Sequence, residues 1–327
     1  MYKQPSRNGS SAQIINKMKD LSNVISVEVD SSSEGQRVDN FLMRVCKGVP
    51  RSHIYRVLRT GEVRVNSRRV DATYRLRLGD RVRIPPLRTA DRARKKPTPP
   101  TSSLPPVVHE DDSLIVIDKP SGLAVHGGSG VSFGVIEQFR AARPQLKFLE
   151  LAHRLDRDTS GLLILAKKRS ALTALHAALR EGRVRKHYLV LVVGRWREEE
   201  RHINLPLKKY VTRSGERRVS VHREGRESQT VFRKERSLRD FTLLSADLLT
   251  GRTHQIRVQL AHLGFPVAGD DKYGDFERNR ALAKQGLARL FLHAAELEFV
   301  HPSSGKAMKL RSPLAPPLAR FLDSLPA

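Results

Sequence analysis

Apolar and polar positions along this chain change period several times, and each change marks an element. Residues 24–30 (VISVEVD) alternate in the manner of a half-buried edge strand. Val38, Phe41, Leu42 and Val45 then recur at helical spacing. After Pro50 a second short helix over Arg51–Arg59 turns Ile54, Val57 and Leu58 inward, and Gly61 stops it. Val63 and Val65, and later Val82 and Ile84, read as short strands, with turns at Asn66-Ser67 and Gly79-Asp80.

Residues 87–106 break the pattern with five prolines and five basic residues, and RKKPTPPTSSLPP reads as a stiff, extended linker. Beyond it, Leu114–Asp118 predicts a buried strand, Gly127–Gly130 a loop, Phe133–Arg140 a helix and Leu162–Ala166 a strand. A helix over 170–181 places Leu172, Leu175 and Leu179 on one face. Strand-like runs follow at 187–194, 229–235 and 241–249. A helix over 252–263 turns Ile256, Leu260 and Leu263 inward, before a strand at 290–300 and a closing helix at 314–324. Strands and helices mix without a strict βαβ rhythm, which predicts an α+β fold with a mixed, largely antiparallel sheet. The expected organisation is a disordered tail over 1–23, a small α/β domain over 24–86, the linker over 87–106 and a larger domain over 107–327.

Charge sharpens this division. The chain has 327 residues, 60 of them Lys or Arg and 34 Asp or Glu, a net charge of +26 that points to a polyanionic partner. Residues 37–106 hold 18 basic and five acidic residues, so half of the excess, +13, sits in 70 positions. One cysteine, Cys46, excludes an internal disulfide framework and a Cys-rich zinc module, and fits a reducing, cytoplasmic setting. The first 23 residues lack an apolar core and do not read as a signal peptide. The longest apolar runs, such as Leu162–Ala166 and Tyr188–Val193, are strand-length, so no membrane association is expected.

Arg37, Arg44, Lys47, Arg51, Arg56, Arg59, Arg64, Arg68 and Arg69 crowd two short helices and a hairpin whose inward faces are already apolar. Cations left outside can neutralise phosphates, or can form a merely solvated face. The arrangement is more specific than charge. Arg37-Val38-Asp39 opens the first helix, Arg51-Ser52 the second, and Gly61-Glu62-Val63-Arg64-Val65-Asn66 forms the turn and strand. This run resembles an S4 RNA-binding domain. The resemblance implies that Arg37, Lys47, Arg51, Arg56, Arg59, Arg64 and Arg68 contact structured RNA, mainly through shape and phosphates.

The segment His153-Arg154-Leu155-Asp156-Arg157-Asp158-Thr159-Ser160-Gly161 is a polar loop feeding the apolar strand at 162. Read by itself, it is either a turn built on Asp158, Thr159 and Ser160-Gly161, or a site in which a carboxylate beside arginine serves as nucleophile or base. The G-x-S-x-G elbow of serine hydrolases is absent. Gly127-Gly128-Ser129-Gly130 lacks the Lys-Ser/Thr pair of a phosphate loop, and no histidines show H-E-x-x-H spacing, so neither a phosphate loop nor a zinc site is expected. Lys119-Pro120-Ser121-Gly122 reads as a turn closing a strand.

HRLDRDTSG is nevertheless the signature of the RluA-type pseudouridine synthases, and three further blocks follow in the right order. These are Lys186-His187-Tyr188; Gly251-Arg252-Thr253-His254-Gln255-Ile256-Arg257, continuing to Gly264-Phe265-Pro266 and Gly269-Asp270-Asp271-Lys272-Tyr273-Gly274; and Leu292-His293-Ala294 leading to His301-Pro302. The resemblance spans about residues 107–312. Residues 124–137 are similar to the C-type subgroup that acts on large-subunit ribosomal RNA. One departure is Gln259, where the family usually has His, a difference expected to touch surface detail rather than chemistry.

The resemblance implies a pseudouridine synthase fold behind the S4-like domain and an enzyme that isomerises uridine to pseudouridine. Asp156 would be the catalytic carboxylate, able to attack C1′, attack the base or deprotonate the sugar. Arg257 would pair with it. Tyr188 would stack on the target uracil, and Leu292 would pack beneath the site. Arg154 would fill the space left by a flipped-out uridine or contact a phosphate. The implied partner is large-subunit ribosomal RNA, the implied state a monomer without cofactor. Two alternatives are a non-catalytic ribosome-assembly factor and a synthase acting on transfer RNA.

Overall fold

The computed structural model describes residues 23–31, 33–46, 48–87, 104–127, 133–212 and 215–326. The chain divides into two compact units, residues 1–97 and 98–327. The expected tail, all but the ends of the expected linker and most of the Gly127–Gly130 loop lie outside the described residues.

In the first unit, β1 (Ile25–Glu28), β3 (Arg81–Ile84) and β2 (Arg64–Val65) form an antiparallel sheet in that order, beside α1 (Val38–Val45) and α2 (Arg51–Arg59). Val38, Phe41 and Leu42 of α1 and Ile54, Val57 and Leu58 of α2 are buried with Val65, Val82 and Ile84, so the two helices and the sheet share one core. Asn66 and Ser67 adopt positive φ (49° and 66°), which makes the tight turn after β2. The Asn66 amide donates to Asp80 Oδ1 at 2.8 Å and fastens that turn to the one before β3.

The second unit is built on a ten-stranded sheet. Its elements are β4 (Val107–Glu110), β5 (Leu114–Lys119), α3 (Val135–Ala142), β6 (Glu150–Leu151), β7 (Ser160–Ala166), α4 (Arg169–Arg180), β8 (Arg185–Val193) and β9 (Glu200–Asn204). A separate two-stranded hairpin, β10 (Leu207–Val211) and β11 (Arg217–Val221), comes next. β12 (Gln229–Ser237), β13 (Phe241–Leu248), α5 (Gln255–His262), α6 (Phe276–Lys284), β14 (Leu292–Val300), β15 (Ala307–Arg311) and α7 (Pro316–Ser324) complete the unit. The strand order is β4-β5-β7-β14-β8-β13-β12-β9, with β6 beside β7 and β15 beside β14. Every pairing is antiparallel except β7 with β14, so the sheet is mixed and largely antiparallel.

The central strands are apolar on both faces because both faces are covered. Ile115, Ile117, Leu163, Leu165, Val190 and Val192 join one core with Phe139 of α3 and Ile256 and Leu260 of α5. Their alternates Leu114, Val116, Leu162 and Ile164 pack with Ala171 and Leu175 of α4. Leu191 and Leu243 pack with Leu282 of α6 and Leu318 and Phe321 of α7. The buried stripe of α4 is therefore Ala171, Leu175 and Ala178, while Leu172 and Leu179, expected on that stripe, are partly buried at its margin. The smaller alanines allow the helix to lie close to the sheet.

β7 and β14 meet over only two residue pairs, His293 with Ser160 and Ala294 with Gly161. A bulge in β14 between Ala294 and Glu296 then turns that strand toward β15. Ser160 and Gly161, expected as a turn, are the first residues of β7. Gly161 has φ of +108°, and a Cβ there would lie 2.3 Å from the Ala294 carbonyl oxygen. The junction of the two half-sheets thus requires a residue without a side chain. Gly161→Ala is expected to cost about 2–4 kcal/mol from left-handed strain and overpacking. Urea unfolding followed by the fluorescence of Trp196, the single tryptophan, measures this, and an unchanged midpoint would show that β14 can shift aside.

Candidate active site

The loop between β6 and β7 carries Asp156 to the end of the sheet where β7 meets β14. Lys119, the last residue of β5, is fully buried, and its Nζ donates to the carbonyls of Pro120 (2.8 Å), Leu123 (2.9 Å) and Arg157 (2.9 Å). Burial pulls its pKa down to about 7, yet three carbonyl acceptors call for the three N–H bonds of an ammonium. The hydroxyl of Ser121 donates to the Asp158 carbonyl at 2.7 Å. The Lys119–Gly122 segment, expected as a simple turn, therefore holds the loop that carries Asp156. Beneath it, Arg289 Nη2 donates to Ser160 Oγ (2.7 Å), Ser160 Oγ faces His293 Nδ1 (2.9 Å), and His293 Nε2 faces the Ser312 carbonyl (3.2 Å). Burial lowers the pKa of His293, so the ring is neutral, with Nδ1 accepting and Nε2 donating.

α5 delivers the cation. Six consecutive residues, Gln255–Leu260, are buried, so this helix places polar side chains in the interior and satisfies each of them. Gln255 Nε2 donates to the Gln229 carbonyl (2.9 Å) and Thr230 Oγ1 (2.8 Å). Gln259 Nε2 donates to the carbonyl and hydroxyl of Ser228 (3.0 and 2.9 Å), and its Oε1 accepts from Thr230 (2.7 Å). Gln259 is thus an interior tie between α5 and β12, not the surface detail expected from the sequence.

Arg257 lies between three carboxylates. Its Nε and Nη2 bind Asp270 bidentately at 2.7 and 2.6 Å; Nη1 reaches Asp156 Oδ2 at 3.4 Å, and Nη2 reaches Asp271 Oδ1 at 3.5 Å. The arginine side chain is 2% exposed, Asp270 0%, Asp156 25% and Asp271 66%, so the Arg257–Asp270 pair is fixed inside, Asp271 lies out in solvent, and Asp156 opens into the cavity. Burial by itself would lower the Arg257 pKa. The hydrogen bonds and charge of Asp270, then the charge of Asp156, outweigh it and raise the value. Burial would raise Asp270 in turn, but Arg257 and the amides of Tyr273 and Lys272 hold it below the usual carboxylate range. Because Asp270 takes the two strong bonds, Asp156 is oriented by a long single contact and keeps lone pairs free for chemistry.

Two more side chains frame Asp156. His254 precedes α5 with φ of +54°, a left-handed conformation rare outside glycine, and its Nε2 is 3.9 Å from Asp156 Oδ1. Its Nδ1 lies 2.8 Å from the Tyr273 hydroxyl, which also accepts the Val219 amide at 3.0 Å. The hydroxyl proton is therefore directed to Nδ1, and Nε2–H faces Asp156. Burial lowers the His254 pKa against the opposing pull of Asp156, consistent with this neutral tautomer. Burial, then the charge of Asp156, raises the Tyr188 phenol above its ordinary value, so it is neutral near pH 7.

Asp156, Arg154, Tyr188, Arg257 and Leu292, named from the sequence, all line one cavity of about 830 Å³. Leu292 and Tyr188 are buried at its wall, and Arg154 is exposed at its margin. Among the described residues no cluster of His, Cys, Asp or Glu could hold a metal ion, and no helix is long and apolar enough to cross a membrane. In the first unit the expected RNA contacts separate. Arg51, Arg59 and Arg68 are exposed. Arg37 clamps Asp39 (Nη2–Oδ2 2.6 Å), Arg56 bonds His53 (2.8 Å), and Arg64 bonds the carbonyls of Gly61 and Ser67 (3.4 and 3.5 Å). Lys47 lies outside the described residues.

Comparison with known proteins gives the family. Residues 113–262 match the family model for RNA pseudouridylate synthase, and residues 36–82 match the S4 domain. The chain is 50% identical over 305 residues to "Ribosomal large subunit pseudouridine synthase C" of Escherichia coli (strain K12), covering 91% of this chain and 96% of the relative. It is 48% identical over 306 residues to the protein of that name from Vibrio cholerae, with 91% and 96% covered. The chain belongs to the RNA pseudouridylate synthase family. Its fold is also that of the solved human RNA Pseudouridylate Synthase Domain Containing 1, with a TM-score of 0.56, 24% identity, and 68% of this chain and 89% of that one covered.

Sequence reasoning assigned no role in this synthase to Asp270, His254, Tyr273 or Lys119. The first three stand in the blocks Gly251–Arg257 and Gly269–Gly274, so the signal was present but their mutual contacts were not. Asp270→Asn is expected to cost about 3–5 kcal/mol, because it strips Arg257 of its main counter-charge. A depressed carboxylate pKa contributes stability above its unfolded value of about 3.9 and loses it as pH falls through the folded value. The wild-type urea midpoint, read by Trp196 fluorescence, should therefore fall below about pH 4. The Asp270→Asn variant should show a shallower fall there, and parallel curves would overturn this account.

Proposed function

We propose that this protein converts uridines of large-subunit ribosomal RNA to pseudouridine, with Asp156 as the catalytic carboxylate. The observation that carries this reading is the Asp156–Arg257–Asp270 arrangement opening into the cavity lined by Tyr188 and Leu292. Relatives at 50% identity bear the name of a ribosomal large subunit pseudouridine synthase, which supports the substrate class.

The reaction breaks the N1–C1′ bond, turns the uracil and joins C5 to C1′. The C5 proton leaves and N1 gains one, so atoms balance without oxidant or cofactor. An anion at the sugar or base is required by each route open to Asp156. Arg257 orients that anion while Asp270 keeps the arginine from quenching it. The Tyr188 ring offers a stacking face for the base, and its neutral phenol remains a proton donor rather than a ready base. A uridine within folded RNA must leave its stack to reach the cavity, at a cost of a few kcal/mol. Arg154, exposed at the cavity margin, occupies the vacated space or binds the adjoining phosphate. Arg51, Arg59 and Arg68 of the first unit grip RNA phosphates, and the single buried Cys46 fits action in the reducing cytoplasm.

Asp156→Asn should lower tritium release from large-subunit ribosomal RNA labelled at uridine C5 by more than about 10³-fold, while filter-binding affinity is retained. Parallel loss of binding would sink the assignment. The triple Arg51/Arg59/Arg68→Ala variant should bind more weakly and reduce the slope of log affinity against log salt by about 2–3. An unchanged slope would remove the first unit from the RNA contact.

A further inference from the structure

Among the described residues, Lys186 is a cation without a counter-charge inside the cavity. It stands two residues before Tyr188 on β8, and positions two apart on a strand share a face, so both project into the same space. The side chain is half-buried, and its Nζ lies beside the backbone of Gly251, where an added Cβ would be 3.6 Å away. No carboxylate or hydrogen-bond partner meets it among the described residues, and burial lowers its pKa. Among the described residues Asp156 is the only carboxylate lining the cavity, and it is already turned to Arg257. Arg154, Arg180 and Arg252 line the same space, so the wall around Lys186 is positive.

A half-buried ammonium without a partner is costly, and the cost is recovered when an anion arrives. The anion that RNA brings is the phosphodiester. We propose that Lys186 binds the phosphate bordering the flipped uridine and so retains the nucleoside in the cavity that holds Asp156 and Tyr188. This rests on the RNA-isomerase reading above. Phosphate leaves no bond and gains none in the reaction, so the contact is equal in ground and transition states. It therefore acts on substrate binding rather than on the chemical step.

The test uses the full-length protein and its Lys186→Gln and Lys186→Arg variants, with labelled large-subunit ribosomal RNA. Lys186→Gln should raise KM about tenfold while kcat stays within about twofold, and should keep the wild-type melting temperature. The salt slope of equilibrium binding should fall by about 0.7, the value for one phosphate on a single strand. Lys186→Arg, which keeps the charge, should restore most of both. A loss confined to kcat, or an unchanged KM and salt slope, overturns the assignment. The salt slope needs no turnover. Wild-type protein that releases no tritium would therefore overturn the isomerase reading, while a slope that still falls in Lys186→Gln would uphold the phosphate contact.

Discussion

The arrangement of this molecule depends on one buried guanidinium. Arg257 is held at two points by a fully buried carboxylate and touches a second, half-solvated one only at arm's length. Moving an arginine out of water is tolerable only where its charge is matched, and Asp270 supplies that match from the Gly269–Gly274 loop. The loop is in turn secured, since Asn279 of α6 donates to the Asp270 carbonyl at 2.7 Å and accepts the Gly269 amide at 2.9 Å. Asp156 thus inherits a fixed positive neighbour without being neutralised by it. A single symmetric salt bridge could not give both properties.

Much of this fold is legible in the sequence because burial on two faces leaves a plain record. The central strands β5, β7 and β8 carry continuous apolar runs, and the second helix of the first unit keeps its predicted inward residues Ile54, Val57 and Leu58. The elements that escape are those whose stability is not written in apolar periodicity. α6 buries only Leu282 and is started by Asp275, whose side chain accepts the amides of Glu277 and Arg278, so its sequence reads as solvated coil. β10 buries only Leu207, which leaves Lys208, Lys209 and Tyr210 looking like loop. α5 defeats periodicity in the other direction, because it is buried all round and its inward polar residues are indistinguishable from surface ones until their partners are known.

The site shows the same division. Asp156, Tyr188 and Arg257 are readable as motif positions, since each sits in a distinctive block. The parts played by Asp270, His254 and Tyr273 depend on contacts between residues distant in the chain, such as the Val219 amide on the Tyr273 hydroxyl. No local pattern encodes a third-party carboxylate that leaves another one free. Lys119 is a similar case, for a lysine whose ammonium is consumed by three carbonyls has the same one-letter signature as one in solvent.

The two-pair seam between β7 and β14 has a consequence for biosynthesis. Its partners lie 133 residues apart in sequence, so β14 leaves the ribosome well after β7. Contacts of such long range form slowly and only after the intervening chain exists. A nascent chain that ends before β14 has its two half-sheets without their shared strand and lacks Leu292 from the cavity wall. The cavity is therefore completed only once β14 has been made, and a chain that stops short of β14 would lack this wall of the candidate site.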